Sequence, residues 1–159
     1  MSGNQIIANL WFDTEAEEAA NYYIDVFGNG QINHVAHYTE NAPREEGMVM
    51  VVEWEVNGTR FVGINGGPDF KFDEAISFQI DCHSQDEVDH YWSALAEGGE
   101  EGPCGWLKDR YGLSWQIVPR ALQELLADPD RDKAQRVMAA MMQMGKIEVA
   151  GLERAAEAA

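Results

Sequence analysis

The chain has 159 residues, of which 45% are apolar and five are tryptophan, so it is long enough and apolar enough to bury a core. Its 28 acidic and 11 basic side chains give a formal net charge of −17, which disfavours nucleic acid and anionic membranes as partners. No stretch approaches the roughly 18 apolar residues of a transmembrane helix, and the N-terminus lacks a signal-peptide pattern. With only two cysteines, far apart, a reduced cytoplasmic protein is the simplest expectation.

The first half of the chain predicts a β-α-β-β-β unit. A strand at 10–13 leads into a capping box formed by Thr14 and Glu17, and then into a helix that ends near Gly28. One stripe of this helix is apolar or aromatic: Ala16, Ala19, Ala20, Tyr23 and Phe27. Further strands are predicted at 32–38, 48–56 and 60–64, the last two joined by a hairpin turn at Asn57-Gly58.

The second half predicts the same order of elements in a shorter form. A strand at 78–81 leads into a capping box formed by Ser84 and Glu87, and then into a helix that ends at Gly98. Its buried stripe is predicted to be Val88, Trp92 and Leu95. A strand at 100–107, a polar turn at 108–112 and a strand at 113–118 follow.

These two halves resemble each other at an offset of 68 residues. The offset superposes apolar, acidic, aromatic and glycine positions, namely Leu10 on Phe78, Phe12 on Ile80, Asp13 on Asp81, Tyr23 on Tyr91, and Gly30 on Gly98. Chance similarity of two amphipathic helices is the alternative. The shared strand, cap and terminating glycine favour a true repeat.

Beyond residue 119 the pattern is helical. A short helix is predicted at 121–127, a second that starts at Asp128-Pro129, and a third at 147–158. Four methionines crowd the end of the second helix: Met138, Met141, Met142 and Met144. These flexible side chains suit either core packing or a surface for a partner.

Several of these segments resemble one protein family. They are Leu10–Asp13 with Glu17–Ala19 and Tyr23, Asn65–Pro68, Gly98-Gly99 and Trp106–Gln116. The chain is similar over residues 5–145 to the PhnB-like branch of the vicinal-oxygen-chelate (glyoxalase/bleomycin resistance/dioxygenase) superfamily, also called 3-demethylubiquinone-9 3-methyltransferase-like. The resemblance implies an α+β fold in which paired βαβββ modules, about 5–68 and 74–119, form a cupped sheet around a cavity within residues 1–119. A C-terminal helical extension at 120–159 follows, and a homodimer is expected.

Members of the superfamily commonly hold a divalent metal with His, Glu or Gln side chains, which acts as a Lewis acid. The resemblance implies four metal-ligand positions in this chain. Strand alternation places three of them at Ile7, Ala75 and Gln116, and the fourth lies around 63–65. Ile and Ala cannot coordinate a metal, so neither a metal nor another cofactor is expected. A methyltransferase cofactor is not expected either, because no Gly-rich loop joins a strand to a helix.

A ligand pocket for a small organic molecule is the remaining candidate site. The residues predicted to line it are Trp11, Asn65, Cys104, Trp106 and Gln116, with Ser77, Gln79 and Ser114 on the same inner faces. Ordinary filling of a small core is the alternative for all of these positions.

Cys104 is the candidate nucleophile or redox-sensitive thiol, and an inert buried thiol is the alternative. Lys108-Asp109-Arg110 is interpreted as a solvated turn from which Lys108 could reach an anionic ligand. Two function classes follow: a metal-free enzyme that acts on a small molecule, and a non-catalytic binding protein of the bleomycin-resistance type. A purely structural dimer is a third hypothesis.

Overall fold

The computed structural model describes residues 3–158, which form two compact units, one ending at Lys71 and the other beginning at Phe72. This division falls within the segment 69–73, which the sequence left between the two predicted modules. In the described range, no helix is both long and apolar enough to cross a membrane.

The first unit is a β-α-β-β-β module, as predicted. Its elements are β1 (Ala8–Phe12), α1 (Ala16–Phe27), β2 (Gly30–His37), β3 (Val49–Val56) and β4 (Thr59–Asn65). The strands form one sheet in the order β1-β4-β3-β2, with β1 parallel to β4 and the other pairs antiparallel. The β3–β4 hairpin turns at Asn57 and Gly58, whose φ angles of 48° and 77° are those an Asn-Gly turn adopts readily.

Helix α1 covers one face of this sheet. Alternation along β1 buries Leu10 and Phe12, and the helix buries a stripe of mostly small residues against them: Ala16, Ala19, Ala20, Tyr23 and Val26. Gly63 of β4 lies directly beneath Ala16, where an added Cβ would come within 3.0 Å of the alanine methyl. Small residues on both sides therefore allow the close approach of helix and sheet.

The capping box predicted at Thr14 and Glu17 is wrong. The N-cap of α1 is Glu15, whose side chain makes no capping hydrogen bond. Asn65, at the end of β4, accepts a hydrogen bond from the Ala16 backbone N–H at 2.9 Å instead. The first turn of the helix is thus stabilised by a residue far along the chain.

The second unit begins with a module of the same topology. Its elements are β5 (Ser77–Cys82), α2 (Gln85–Ala96), β6 (Glu100–Glu101), β7 (Trp106–Lys108) and β8 (Ser114–Pro119), in the sheet order β5-β8-β7-β6. The cap at Ser84 is confirmed, because its hydroxyl accepts a hydrogen bond from the Glu87 N–H at 3.2 Å. The single strand predicted at 100–107 is wrong, since a turn at 102–105 divides it in two.

Three helices complete the second unit: α3 (Arg120–Leu126), α4 (Arg131–Met141) and α5 (Val149–Glu157). They surround a buried cluster that includes the end of the last strand: Val118, Leu122, Val137, Ile147, Leu152 and Ala156. The C-terminal extension therefore shares a core with the second module.

The predicted start of α4 at Asp128-Pro129 is wrong. Helix α4 is capped by Asp130, whose carboxylate accepts from the N–H groups of Asp132 and Lys133. Asp128 accepts a hydrogen bond from the Asp130 N–H at 2.9 Å and so shapes the turn before the cap.

Candidate functional site

In the second unit, helix α2 covers one face of the sheet. The opposite face, which we call the open face, carries no helix of the βαβββ module, although its β8 residues Ser114 and Val118 are buried. Trp115 and Ile117 of β8 are buried on the covered face. The register of the sheet places the opposite-facing residues in two rows across the strands. One row is Ser77, Ser114, Lys108 and Glu100, and the other is Gln79, Gln116 and Trp106.

A pocket of about 420 Å³ lies at the β6–β7 side of this open face. Side chains from both rows, from the 102–105 turn and from the segment before β5 line it, including Glu74, Glu100, Cys104, Trp106, Lys108 and Ser114. The volume falls within the range of roughly 300–1,000 Å³ that small-molecule sites occupy. Of the five predicted ligand-pocket residues, Cys104 and Trp106 line this pocket, and Gln116 lies directly opposite Trp106 in the strand register.

The wall that carries Cys104 is held in place by the C-terminal helices. Cys104 and Gly105 donate their backbone N–H groups to the carbonyls of Met144 and Gly145, both at 2.8 Å. Gly105 in turn accepts from the Ile117 N–H of β8 at 2.8 Å. The C-terminal extension therefore fixes the position of one pocket wall, a role that the sequence did not indicate.

Among the described residues, the Cys104 thiol makes no hydrogen bond to a group that could act as a catalytic base. The Cys104 thiol contacts the Met142 thioether at a distance of 3.7 Å. Its φ angle of 57° is in the left-handed region, an uncommon conformation for a side-chain-bearing residue. A thioether cannot accept a proton at neutral pH, so this neighbour does not activate the thiol as a nucleophile.

Ser114 supplies an unpaired hydroxyl at the floor of the pocket. The residue is 0% exposed, and among the described residues its Oγ has no hydrogen-bond partner. Ser77, directly opposite on β5, differs because its Oγ accepts a hydrogen bond from Gln116 Nε2 at 2.9 Å. A buried polar group without a partner is costly, so an unpaired hydroxyl in a pocket marks a point where a ligand could bond.

Carboxylates dominate the charge around the pocket. Lys108 forms an ion pair with Glu74, with Nζ 2.6 Å from the carboxylate. The hydrogen bond from Lys108 lowers the pKa of Glu74, and the same bond raises the pKa of Lys108. The charges of Glu74, Glu100 and Asp73 raise the pKa of Lys108 further. The ammonium group is therefore charged and surrounded by acidic groups.

Asp109 organises the turn that precedes β8, and the interpretation of this turn as solvated is wrong for that residue. Asp109 is only 2% exposed. One carboxylate oxygen accepts from the backbone N–H groups of Tyr111 and Leu113, and the other accepts from the Trp115 indole at 2.9 Å. The signal in the sequence is Asp109 placed three residues before Gly112. An Asp at this distance from a glycine is typical of a turn in which the carboxylate accepts from backbone N–H groups.

Two of the predicted pocket residues lie in the first unit and are held by bonds within it. Asn65 is 1% exposed on the helix-facing side of β4, where it caps α1 and donates to the Val49 carbonyl at 3.0 Å. Side chains alternate along a strand, and the neighbouring Ile64 is on the opposite face from the helix. Asn65 therefore faces the helix and does not lie on the open face. The Trp11 indole donates to the Gly67 carbonyl at 2.9 Å, and its ring packs edge-on against Phe70.

The strand registers fix the fourth metal-ligand position, which the sequence left open. Trp11 lies opposite Ile64 in the first sheet, and Gln79, its equivalent at the offset of 68, lies opposite Gln116 in the second. Ile64 is therefore the equivalent of Gln116.

A divalent metal, which the superfamily resemblance implies for many members, does not fit this donor set. Ile7, Ile64 and Ala75 offer no donor atom, and the Gln116 amide bonds to Ser77. The described residues also contain no cluster of three or more His, Cys, Asp or Glu side chains placed to hold a metal.

Comparisons with known proteins agree with this architecture. A family profile described as 3-demethylubiquinone-9 3-methyltransferase matches residues 4–118. The solved structure of a PhnB protein from Bacillus cereus is 32% identical, with a TM-score of 0.65, and the alignment covers 73% of this chain and 99% of that chain. The search of curated proteins found no match.

More distant solved structures share the fold. A protein from Pseudomonas aeruginosa is 20% identical with a TM-score of 0.60, and the alignment covers 74% of this chain and 98% of that one. A fosfomycin resistance protein from Listeria monocytogenes is 12% identical with a TM-score of 0.52, over 75% of this chain and 94% of that one. Because the family profile spans most of the chain and the PhnB protein from Bacillus cereus aligns over nearly its whole length, the chain belongs to the 3-demethylubiquinone-9 3-methyltransferase family, in its PhnB-like branch.

Proposed function

We propose that this protein binds a small organic molecule on the open face of its second sheet. The observation that carries the proposal is the pocket of about 420 Å³ with an unpaired, buried Ser114 hydroxyl on its floor. The Trp106 ring supplies an apolar surface for a planar group, and the hydroxyl supplies a point of orientation. Gln116, beside Trp106 in the register, lies in the row next to that of Ser114 and is proposed as a further ligand contact.

Of the two function classes that the sequence leaves open, non-catalytic binding has the stronger support. An enzyme without a metal needs an activated nucleophile or a positioned acid–base pair. The Cys104 thiol contacts a thioether, and the Lys108 ammonium is paired with Glu74, so neither group is set up for those roles. Sequestration needs only the pocket.

The test is a ligand screen that reports binding and turnover separately. Planar aromatic compounds are titrated against the purified protein, with the change in tryptophan fluorescence that is lost in a Trp106→Phe variant as the binding signal. Each bound compound is then recovered for mass spectrometry. Sequestration predicts binding with the compound returned unchanged. A chemically altered compound, with alteration lost in a Cys104→Ser variant that still binds, would instead support the metal-free enzyme.

Trp11 remains a proposed ligand contact, since the ring is only partly buried in its own unit. Replacing Trp11 with Leu is expected to weaken binding of a ligand found in the screen. Unchanged affinity would contradict a role for Trp11 as a ligand contact.

We also propose a homodimer in a reducing, cytoplasmic compartment. Two of the four methionines at the end of α4, Met138 and Met142, are 43% and 57% exposed. Their exposure supports a role for these methionines as a contact surface between two copies of the chain. Both cysteines are unpaired thiols, which is typical of reducing compartments. Sedimentation equilibrium at micromolar concentration tests the dimer, and a monomer mass throughout would contradict it.

A further inference from the structure

The charges that face the pocket are unbalanced. Lys108 lies between Glu74, which it contacts at 2.6 Å, and Glu100, its partner across the β6–β7 pair. The charge of Asp73 also raises the pKa of Lys108. Three glutamates, Glu74, Glu100 and Glu101, therefore line the pocket together with one lysine, in a protein whose formal net charge is already −17. Such an excess draws cations toward a cleft and repels anions.

Trp106 offers a second feature that suits a cation. Its half-buried ring lines the same pocket as Glu74 and Glu100. An aromatic face attracts a cation placed over it, most strongly when the cation is partly shielded from water. A planar cation can stack on this ring while its positive end approaches the carboxylates.

Ser114 is an independent observation that points to a ligand with N–H donors. Its Oγ is fully buried, has no hydrogen-bond partner among the described residues, and belongs to the pocket lining. Lys108 lies directly opposite Ser114 on the neighbouring strand. The two side chains therefore lie next to each other on the same face of the sheet.

We propose that the pocket selects planar nitrogen cations, such as amidinium, guanidinium or protonated heteroaromatic groups. The ligand cation takes the place of the Lys108 ammonium against Glu74 and Glu100, stacks on Trp106 and donates an N–H to Ser114. This inference rests on the proposed small-molecule binding function and specifies the ligand class.

Three isosteric probes test the charge preference: naphthalene-2-carboxamidine as the cation, naphthalene-2-carboxamide as the neutral form and 2-naphthoate as the anion. Binding is measured by calorimetry at pH 7 in low and high salt. The expected result is that the amidine binds at least about tenfold more tightly than the amide, with the difference reduced by salt. The naphthoate should bind most weakly of the three.

Variants of the pocket charges sharpen the test. Lys108→Met removes the competing ammonium and should tighten amidine binding, whereas Glu100→Gln should weaken it and leave amide binding unchanged. Glu153→Gln, the same charge change at an exposed position on α5, is the matched control and should have no effect.

The outcomes separate this inference from the proposed function. Tightest binding by the naphthoate, lost in Lys108→Met, would overturn the cation preference and leave small-molecule binding in place. Equal binding of all three probes would likewise overturn only the preference. Failure of every probe to bind at millimolar concentration would overturn the preference for planar cations together with the pocket as a site for planar aromatic ligands.

Discussion

Replacing Ser114 with Ala should stabilise the protein. The hydroxyl is fully buried and unpaired among the described residues, and such a group costs about 1–3 kcal/mol relative to its hydration in the unfolded chain. Alanine removes a single atom and therefore loses little packing. We expect the free energy of unfolding to rise by about 1–2 kcal/mol, which corresponds to about 4 °C in melting temperature for a chain of this size.

The Ser77→Ala variant is the matched control, because Ser77 lies directly opposite on the neighbouring strand. Its hydroxyl accepts a hydrogen bond from Gln116 Nε2 at 2.9 Å. Loss of that bond should lower the free energy of unfolding by about 0.5–1.5 kcal/mol. The same chemical change on the same sheet face is therefore expected to have opposite signs at the two positions.

Urea unfolding followed by tryptophan fluorescence and far-ultraviolet circular dichroism measures both variants. If Ser114→Ala destabilises the protein as much as Ser77→Ala does, the Ser114 hydroxyl has a structural partner and the argument for a ligand anchor fails. If the argument is right, the stabilised Ser114→Ala variant should also bind pocket ligands more weakly. Stability and binding would then change in opposite directions.

Four further predictions concern other parts of the chain. Asp109→Ala should lower the free energy of unfolding by about 4 kcal/mol, because it leaves buried backbone and indole donors unpaired, as urea unfolding would measure. Iodoacetamide at pH 8 should label the half-buried Cys104 and spare Cys82, because burial raises the pKa of Cys82 to about 12. Since that pKa lies above the ordinary value of 9.0, the contribution of Cys82 to stability should be lost as the pH rises from about 9 to 12. Gly66→Ala should lower the free energy of unfolding by about 1–3 kcal/mol, because an added Cβ would lie 2.1 Å from the Trp11 ring, as urea unfolding would measure.

Controls for these predictions come from the same chain. Asp25→Ala changes an exposed aspartate of α1 and should alter stability by less than about 0.5 kcal/mol. Gly145→Ala adds a methyl group at ordinary contact distance, 3.5 Å from the nearest carbonyl oxygen. An Asp109→Ala effect as small as that of Asp25→Ala, equal labelling of both thiols, or equal effects of the two glycine variants would each contradict the corresponding reasoning.

Sequence pattern predicted most elements of the fold because they depend on local signals. The period-2 alternation of β1, the stripe of Val88, Trp92 and Leu95, and the Asn57-Gly58 turn are each decided by neighbouring residues. The cap of α1 was missed for the opposite reason. Asn65 is 49 residues from the helix N–H that it accepts from, and no local pattern reports such a contact.

The candidate site was harder to predict than the fold. Cys104 and Trp106 were expected to line the pocket, and both line it. Glu74 and Glu100 were missed, since ordinary exposed glutamates are indistinguishable in sequence from those that the fold brings beside Lys108. Strand pairing places Glu100 there, and the segment before β5 places Glu74 there. These long-range contacts, which composition does not encode, decide which charges meet.

The two modules share their topology but differ in what their open faces carry. Val62 and Ile64 of the first sheet occupy the positions that Ser114 and Gln116 occupy in the second. The helix-facing positions are mostly apolar in both sheets, because they bury the helices and so fix the fold; Asn65, which accepts a hydrogen bond from the first turn of α1, is an exception. Open-face positions are free of that constraint, and on this sheet polar side chains there can orient a ligand, whereas Val and Ile can only contact its apolar parts. The polar recognition of a ligand therefore belongs to the second unit, and variants at Ser114 and Gln116 should alter ligand selectivity more than variants at Val62 and Ile64.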